Sequence, residues 1–439
     1  MRLPRFPFFS AIAYAAGIPS LIRRLRSIVT APLYRNAFYL MLNTAATSFL
    51  GFFFWIIVAR LYTEAEVGFG SAIISVMTLL GTMSLVGLNT SLIRFLPRTD
   101  RPRELINSCL TLSGLVSLLL TGMFAAGLGY WSPVLAFITQ NAIFACAFMI
   151  FTLLSTLSAL VDAAFVASRR ASFVLCKNTI NSLIKIPLPV FFALFLHAFG
   201  VVASWGIAIA AALAIALFIF LPRVQSSYRP VPVLRLGLLR EMWRYSAGSY
   251  LANLISALRA LLLPVMVVNV LGAEANAYFY IAWMIANLLF TIPSAVSHSL
   301  FAEGSHSDDM LRRDFLRSLK FTFLLLTLAV IVLVVVGKWL LLAFGQSYSL
   351  NALRLLLVLS FSSPLLAISQ IYNAILRIRS RLKELIAIQA FTSAVALVAS
   401  YLLMPTMGIV VVGYVWIGVH GIIAIYVGLI LLLRPLDAR

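Results

Sequence analysis

Apolar residues run almost without interruption over about twenty positions, stop, and start again, twelve times along the chain. A run of that length crosses the hydrocarbon core of a bilayer as one α-helix, at about 1.5 Å per residue over about 30 Å. Membrane β-strands instead alternate apolar and polar residues over about 10 positions, and these runs do not alternate. They fall at about 37–59, 67–93, 105–129, 140–166, 173–196 and 200–221. After a basic connection they resume at about 245–271, 276–300, 318–337, 350–376, 385–404 and 408–433. The fold class this predicts is an all-α polytopic membrane protein. Of the 439 residues 62% are hydrophobic and only 10% charged. A soluble domain has about 45–50% and about 25%, so that class is excluded.

The net charge of +20 raises nucleic acid as a partner. Its placement argues otherwise. When successive loops are assigned to alternate sides, 28 of the 33 Lys and Arg fall on one side, and the other holds only Arg60 and Lys338. The remaining three, Lys185, Arg259 and Arg354, lie inside spans. Such a split is the positive-inside rule, so both termini are expected in the cytoplasm of a multi-pass inner-membrane protein, with anionic lipids rather than nucleic acid against the basic loops. The N-terminus, with Arg2, Arg5 and "AYA" at 13–15, faintly resembles a secretory signal. Pro4, Pro7 and Pro19 interrupt it and Arg23, Arg24, Arg26 and Arg35 follow, which fits an uncleaved interfacial segment better. The expected organisation is an interfacial segment over 1–35, a six-helix bundle over 36–222 and a basic cytoplasmic linker over 223–244. A second six-helix bundle over 245–433 and a cytoplasmic tail over 434–439 complete it. Cys109, Cys146 and Cys176 are scattered in apolar context without metal-ligand spacing and read as packing residues.

The chain also says one thing twice. "LYTEAEVGF" (61–69) returns as "LGAEANAYF" (271–279), and at the same offset of 210 Asn43 falls on Asn253, Arg103-Glu104 on Arg313-Asp314 and Arg169 on Arg379. Each half has six spans, an even number, so the halves keep one orientation: a parallel repeat about the membrane normal. Two such bundles with a cavity between them make a transporter architecture. The repeated Glu64 and Glu274 open a helix after a hairpin, where a carboxylate suits the helix N-terminus. Thr63 and Glu66 add a capping box in the first copy only.

"ARLYTEAEVGFGSA" (59–72), "GLNTSLIRFLP" (87–97), "LGAEANAYFYIAWMIA" (271–286) and "SLFAEGS" (299–305) resemble the Wzx-type oligosaccharide flippases. These are polysaccharide-biosynthesis proteins of the multidrug/oligosaccharidyl-lipid/polysaccharide exporter superfamily. The resemblance spans about 35–433. It implies a V-shaped pair of bundles that moves a polyprenyl-diphosphate-linked glycan from the cytoplasmic to the outer leaflet. It also implies a polysaccharide polymerase and glycosyltransferases as partners.

A charge at the centre of a membrane helix costs about 2.5–3.5 kcal/mol on the insertion scale, so Arg259 and Lys185, both near mid-span, are candidate substrate contacts. Asn178, Asn181 and Lys185 share one helical face, as do Asn253 and Ser256, with Arg259 one turn on; Asn43 pairs with Thr47. Polar faces of this kind meeting on the axis make a basic cavity suited to a diphosphate, since Arg offers a bidentate fork and Lys a point charge. The other reading of the same residues is helix–helix contact through Asn and Ser. Arg354, one turn into its span, is a weaker candidate that can snorkel. Asp162 is the one carboxylate deep in a span. It reads either as a local balance for Arg169, seven residues on, or as a coupling-ion site. Many flippase relatives pair an acid with an Arg in the seventh helix; here Leu258 and Ala260 flank Arg259.

Three alternatives remain. A multidrug cation antiporter of the same superfamily needs carboxylates or aromatic cages, whereas the central charges here are positive. A membrane glycan polymerase needs acidic groups on a long outer loop, and that side offers only Glu64, Glu66 and Glu274. A scaffold leaves the central charges unexplained. No Gly-Lys phosphate loop, metal spacing or cofactor motif is present, so no enzyme activity, metal or cofactor is expected.

Overall fold

The computed structural model describes residues 32–226, 228–304 and 311–433. The expected interfacial segment, up to residue 31, and the tail over 434–439 lie outside the described residues. Eleven described helices are long and apolar enough to cross a membrane. In the first half these are α1 (Pro32–Leu61), α2 (Glu64–Ser84), α4 (Pro102–Ala126), α5 (Ala142–Ala167) and α8 (His197–Ile215). The short α3 (Leu88–Phe95) follows α2, and α6 (Ala171–Lys185) and α7 (Leu188–Phe192) precede α8. The second half holds α9 (Leu236–Leu271), α10 (Ala273–Gly304), α11 (Leu311–Phe344), α12 (Leu353–Ile378), α13 (Leu382–Met407) and α14 (Val410–Leu433).

The expected fifth span, 173–196, is the broken one. Pro187 and Pro189 sit at the junction of α6 and α7, where each removes an amide donor and clashes with the preceding turn. The pair still runs from one end of the bundle to the other. At one end Asn36, in the first turns of α1, accepts from the Ala171 amide through Oδ1 at 2.9 Å. At the other, Tyr62 Oη donates to the Pro189 carbonyl at 3.0 Å and His197 Nδ1 lies 3.0 Å from Glu66 Oε1. Burial and the Glu66 carboxylate push the Tyr62 phenol up to about 12, so it remains an O–H donor. With this broken crossing the count is the expected twelve, six in each half.

The expected second span is also interrupted. Val86 (φ 49°) and Gly87 (φ 77°) take left-handed conformations between α2 and α3. The Met83 carbonyl at the break accepts from Tyr250 Oη at 2.7 Å. The seventh span starts early, at Leu236 rather than 245, because Leu239 and Met242 are buried against the N-terminal bundle. The linker before it is strapped along α4. Tyr228 Oη donates to Asn107 Oδ1 at 2.6 Å, Asn107 Nδ2 donates to the Arg229 carbonyl at 3.0 Å, and Arg235 Nε meets Glu104 Oε2 at 3.2 Å. Arg103 donates to the Ser226 carbonyl as well. Burial raises the Tyr228 phenol, which keeps it a donor.

Glu64 and Glu274 each stand in the first turn of the helix after a hairpin, as the repeat requires, and the capping box is formed at Thr63 alone, with Glu66 Oε2 2.9 Å from the Thr63 amide. The two copies also bind each other. Asn276 Nδ2 donates to the Gly68 carbonyl at 2.8 Å and to Ser71 Oγ at 3.0 Å. A Cβ on Gly68 would stand 1.7 Å from the Ala273 carbonyl oxygen, so only glycine allows α2 and α10 to approach this closely. Arg60 donates to the Leu342 and Ala343 carbonyls at 2.7 and 2.9 Å, a cation on the C-terminus of α11. Ser347 Oγ donates to Glu64 Oε1 at 2.6 Å. At this hairpin end one apolar core, from Phe54 and Ile73 to Val267, Phe279 and Leu359, runs through both bundles. Toward the opposite, Arg-rich end the buried cores are separate, one in the N-terminal bundle that also takes in Tyr228 of the linker and Leu239 and Met242 at the start of α9, the other in the C-terminal bundle.

Candidate functional site

Polar and charged side chains gather inside the spans at two places, one in each bundle. In the N-terminal bundle, α5 supplies Ser158 and Asp162, α6 supplies Lys177 and Asn178, and α1 supplies Asn43. Lys177 Nζ lies 2.8 Å from Asp162 Oδ1 and donates to Ser158 Oγ at 2.6 Å and to its carbonyl at 3.0 Å. The ammonium therefore makes two hydrogen bonds and one ion pair. Asn178 Nδ2 donates to Asn43 Oδ1 at 3.1 Å and lies 3.4 Å from Asp162 Oδ2. Three of the expected site residues, Asn43, Asn178 and Asp162, thus come together, although Asp162 was expected beside Arg169 and not beside the other two. Sequence reasoning missed Lys177, which the charge count assigns to the basic loop after the fourth span; its side chain is 1% exposed. It also balances Asp162 where Arg169 was expected to. The signal was in the spacing: Lys177 precedes Asn178 on the polar face already recognised on that helix.

One and two turns further along α6 the other expected contacts, Asn181 and Lys185, stand apart from this cluster. Asn181 Oδ1 is buried without a hydrogen-bond partner among the described residues. Lys185 is buried with its Nζ 4.7 Å from the centre of the Phe54 ring, a cation–π contact.

In the C-terminal bundle Arg259 of α9 points inward. Its Cζ lies 4.7 Å from the centre of the Trp416 ring on α14, which packs edge-on against Trp283. No hydrogen bond reaches its guanidinium from the described residues, and its Nε is buried. Beside it opens a polar cavity of about 200 Å³. Ser256 joins Arg259 on its wall from α9, with Ser294, Ser297 and His298 from α10. Ser369, Gln370, Asn373 and Arg377 line it from α12, Gln389 and Thr392 from α13, and His420 from α14. Among the expected residues only Ser256 and Arg259 reach this cavity; Lys185 is not on its wall. Asn253 is exposed on α9, and Arg354 is exposed on α12, donating to Tyr414 Oη at 3.1 Å. The cavity's α12 wall was readable as a polar stripe, Gln370, Asn373 and Arg377, at i, i+3 and i+7. His420 stands alone in an apolar helix and carries no such pattern. Cys109 is buried as expected, while Cys146 and Cys176 are exposed.

The family model for polysaccharide biosynthesis proteins matches residues 57–350, two-thirds of the chain. This protein belongs to that family. No curated protein sequence matches it. Among solved structures, the lipid II flippase MurJ in an inward closed conformation is similar with TM-score 0.71 and 12% identity over 89% of this chain and 87% of that one. An inward-facing multidrug resistance MATE family transporter of the MOP superfamily gives 0.67 and 15% over 87% and 94%. A MOP superfamily transporter from Pyrococcus furiosus, described as having a binding pocket of reversed polarity, gives 0.61 and 15% over 93% and 96%. The fold is that of these transporters: an all-α, multi-pass membrane protein of two parallel-repeated six-helix bundles.

Proposed function

We propose that this family member flips an anionic lipid-linked oligosaccharide, of the polyprenyl-diphosphate class, from the cytoplasmic to the outer leaflet of the inner membrane. Both termini then face the cytoplasm, and the chain works as a transporter, not an enzyme, beside a polymerase and glycosyltransferases. One observation carries the reading: the uncompensated charges buried in the bundles are cations. Among the described residues Lys185 meets only the Phe54 ring and Arg259 only the Trp416 ring, while the deep carboxylate, Asp162, is already neutralised by Lys177. Cations at mid-depth lower the barrier for a diphosphate head crossing the low-dielectric layer, where each charge is otherwise costly. The apolar core shared at the hairpin end, and divided at the Arg-rich end, fits a cleft that opens toward the cytoplasm. The MATE-like fold supports a second reading, an organic-cation antiporter, but an organic cation would meet like charges at Arg259 and Lys185.

The test reconstitutes the protein in liposomes with a fluorescent polyprenyl-diphosphate oligosaccharide and follows loss of signal to an impermeant quencher. Wild type is expected to speed leaflet exchange well above empty liposomes. Lys185→Gln and Arg259→Gln should insert normally, since each removes an insertion cost, and lose at least about tenfold in rate, the worth of about 1.4 kcal/mol. No acceleration by the wild type, together with uptake of an organic cation such as ethidium, would replace this reading with the antiporter.

A further inference from the structure

The cavity in the C-terminal bundle lies inside one bundle, not between two, and its chemistry points to a ligand of its own. Arg259 presents a guanidinium to it with no carboxylate in reach: no Asp or Glu is among the lining residues. The nearby bundle carboxylate Glu384 is engaged elsewhere, accepting from Tyr372 at 2.6 Å and Tyr426 at 3.1 Å and pairing with Arg381 at 3.0 Å. The guanidinium is half-buried and its Nε has no hydrogen-bond partner among the described residues, so an anion beside it offsets the cost of its desolvation.

A second donor waits in the same place. His420 is 2% exposed, and its Nε2 has no hydrogen-bond partner among the described residues. Its Nδ1 lies 3.1 Å from Ser369 Oγ, while the alternative acceptor for that hydroxyl, the Leu365 carbonyl, is 3.4 Å away. Assigning the hydroxyl proton to the shorter contact makes Nδ1 the acceptor and leaves the ring proton on Nε2. Asn373, whose Oδ1 is also unpartnered, turns either its carbonyl or its amide to suit the occupant. Arg377 and His298, both exposed on the wall, add further nitrogen groups between His420 and the Arg-rich end.

We propose that this cavity binds a small free oxyanion of the phosphate class, held by the Arg259 fork and the His420 Nε2–H. Two N–H groups of a guanidinium match two oxygens of a tetrahedral oxyanion, which a halide does not offer. The volume equals about seven waters at about 30 Å³ each, room for such an ion and part of its shell. Cavities for drug-sized ligands start at about 300 Å³, so the cavity takes a free ion and not a whole glycan with its prenyl chain. The ion would hold Arg259 when no cargo is present; the flipping role proposed for Arg259 is electrostatic and needs no contact between the cargo and this cavity.

The experiment titrates inorganic phosphate into the full-length protein, purified in detergent in a gluconate buffer of constant ionic strength. Thermal unfolding and the ³¹P line width of the phosphate are both read. Wild type should show a saturable rise in Tm and saturable broadening; Lys185→Gln should keep both. Arg259→Gln should lose both. His420→Phe, which fills the cavity and keeps Arg259, should weaken half-saturation at least tenfold, and it decides the matter if Arg259→Gln does not fold. Farnesyl diphosphate carries the same head chemistry on a lipid and should not displace the bound phosphate. The proposal falls if wild type shows no saturable response, if chloride gives the same one, if both cavity variants keep it, or if farnesyl diphosphate competes. Binding is read without transport, so a failed flipping assay leaves this result standing.

Discussion

Asp162 and Lys177 hold opposite charges 2.8 Å apart inside a membrane-spanning bundle, so neither is available to the cargo or to a free ion without breaking the pair. Removing one member of a buried pair costs about 3–5 kcal/mol, because the other charge is left bare. Asp162 is 26% exposed, which brings the expected loss for Lys177→Met or Asp162→Asn down to about 2–3 kcal/mol. The double variant removes both charges and should recover most of that loss. Thermal unfolding of the four proteins closes the cycle; additive single losses would show that the two side chains do not act as a pair. Lys177 also shows the limit of reading charge from sequence. It stands six residues into α6, close enough to the Arg-rich end to be counted with Arg169 and Arg170, and only the packing of α5 on α6 turns it inward. Arg259 and Lys185 were legible as buried because both ends of their helices lie far away. Which side of the helix each faces, and hence that they occupy different bundles' interiors, depends on neighbours no periodicity names.

The elements themselves were largely legible, since about twenty apolar residues in a row admit one structure in a bilayer. The breaks were less so. Pro187 and Pro189 announce theirs, but the left-handed pair Val86–Gly87 sits inside an apolar run with no charge or proline to mark it. The meeting of α2 and α10 was visible only as a repeated motif, read as a hairpin signature; that the two copies touch is a tertiary fact. Gly68 makes the contact possible, and its replacement tests what the contact does. In Gly68→Val the new side chain meets the Ala273 backbone, which cannot retreat as a flexible side chain does. The hairpin ends of the bundles should separate. Spin labels at the exposed Tyr130 and Trp339, one in each half, should report a longer mean distance than in the otherwise wild-type protein. An unchanged distance would mean that α2 and α10 adjust locally and that this contact does not hold the end closed.

At the scale of the molecule, duplication gives two bundles of one orientation, joined by a common core at the hairpin end and by the strapped linker and the start of α9 at the other. Such a molecule can rock only if something favours one direction, and its charges suggest what. A diphosphate carries roughly two negative charges, and one charge crossing 100 mV is worth about 2.3 kcal/mol. Outward movement across an inside-negative membrane therefore gains roughly 4–5 kcal/mol if the full charge crosses. On the proposed flippase reading, fixed cations at mid-depth would lower the barrier while the potential would set direction, with no coupling ion required. The closed Asp162–Lys177 pair agrees with this, because its ammonium already stands where an exchangeable cation would have to sit. In liposomes with a potassium gradient and valinomycin, flipping toward the positive side should accelerate with the potential and need neither a proton nor a sodium gradient. The Asp162→Asn/Lys177→Met double variant should keep most of that rate. Transport that follows a pH gradient, ignores the potential and is lost in the double variant would instead make the pair a proton-coupled switch, opened once in each cycle.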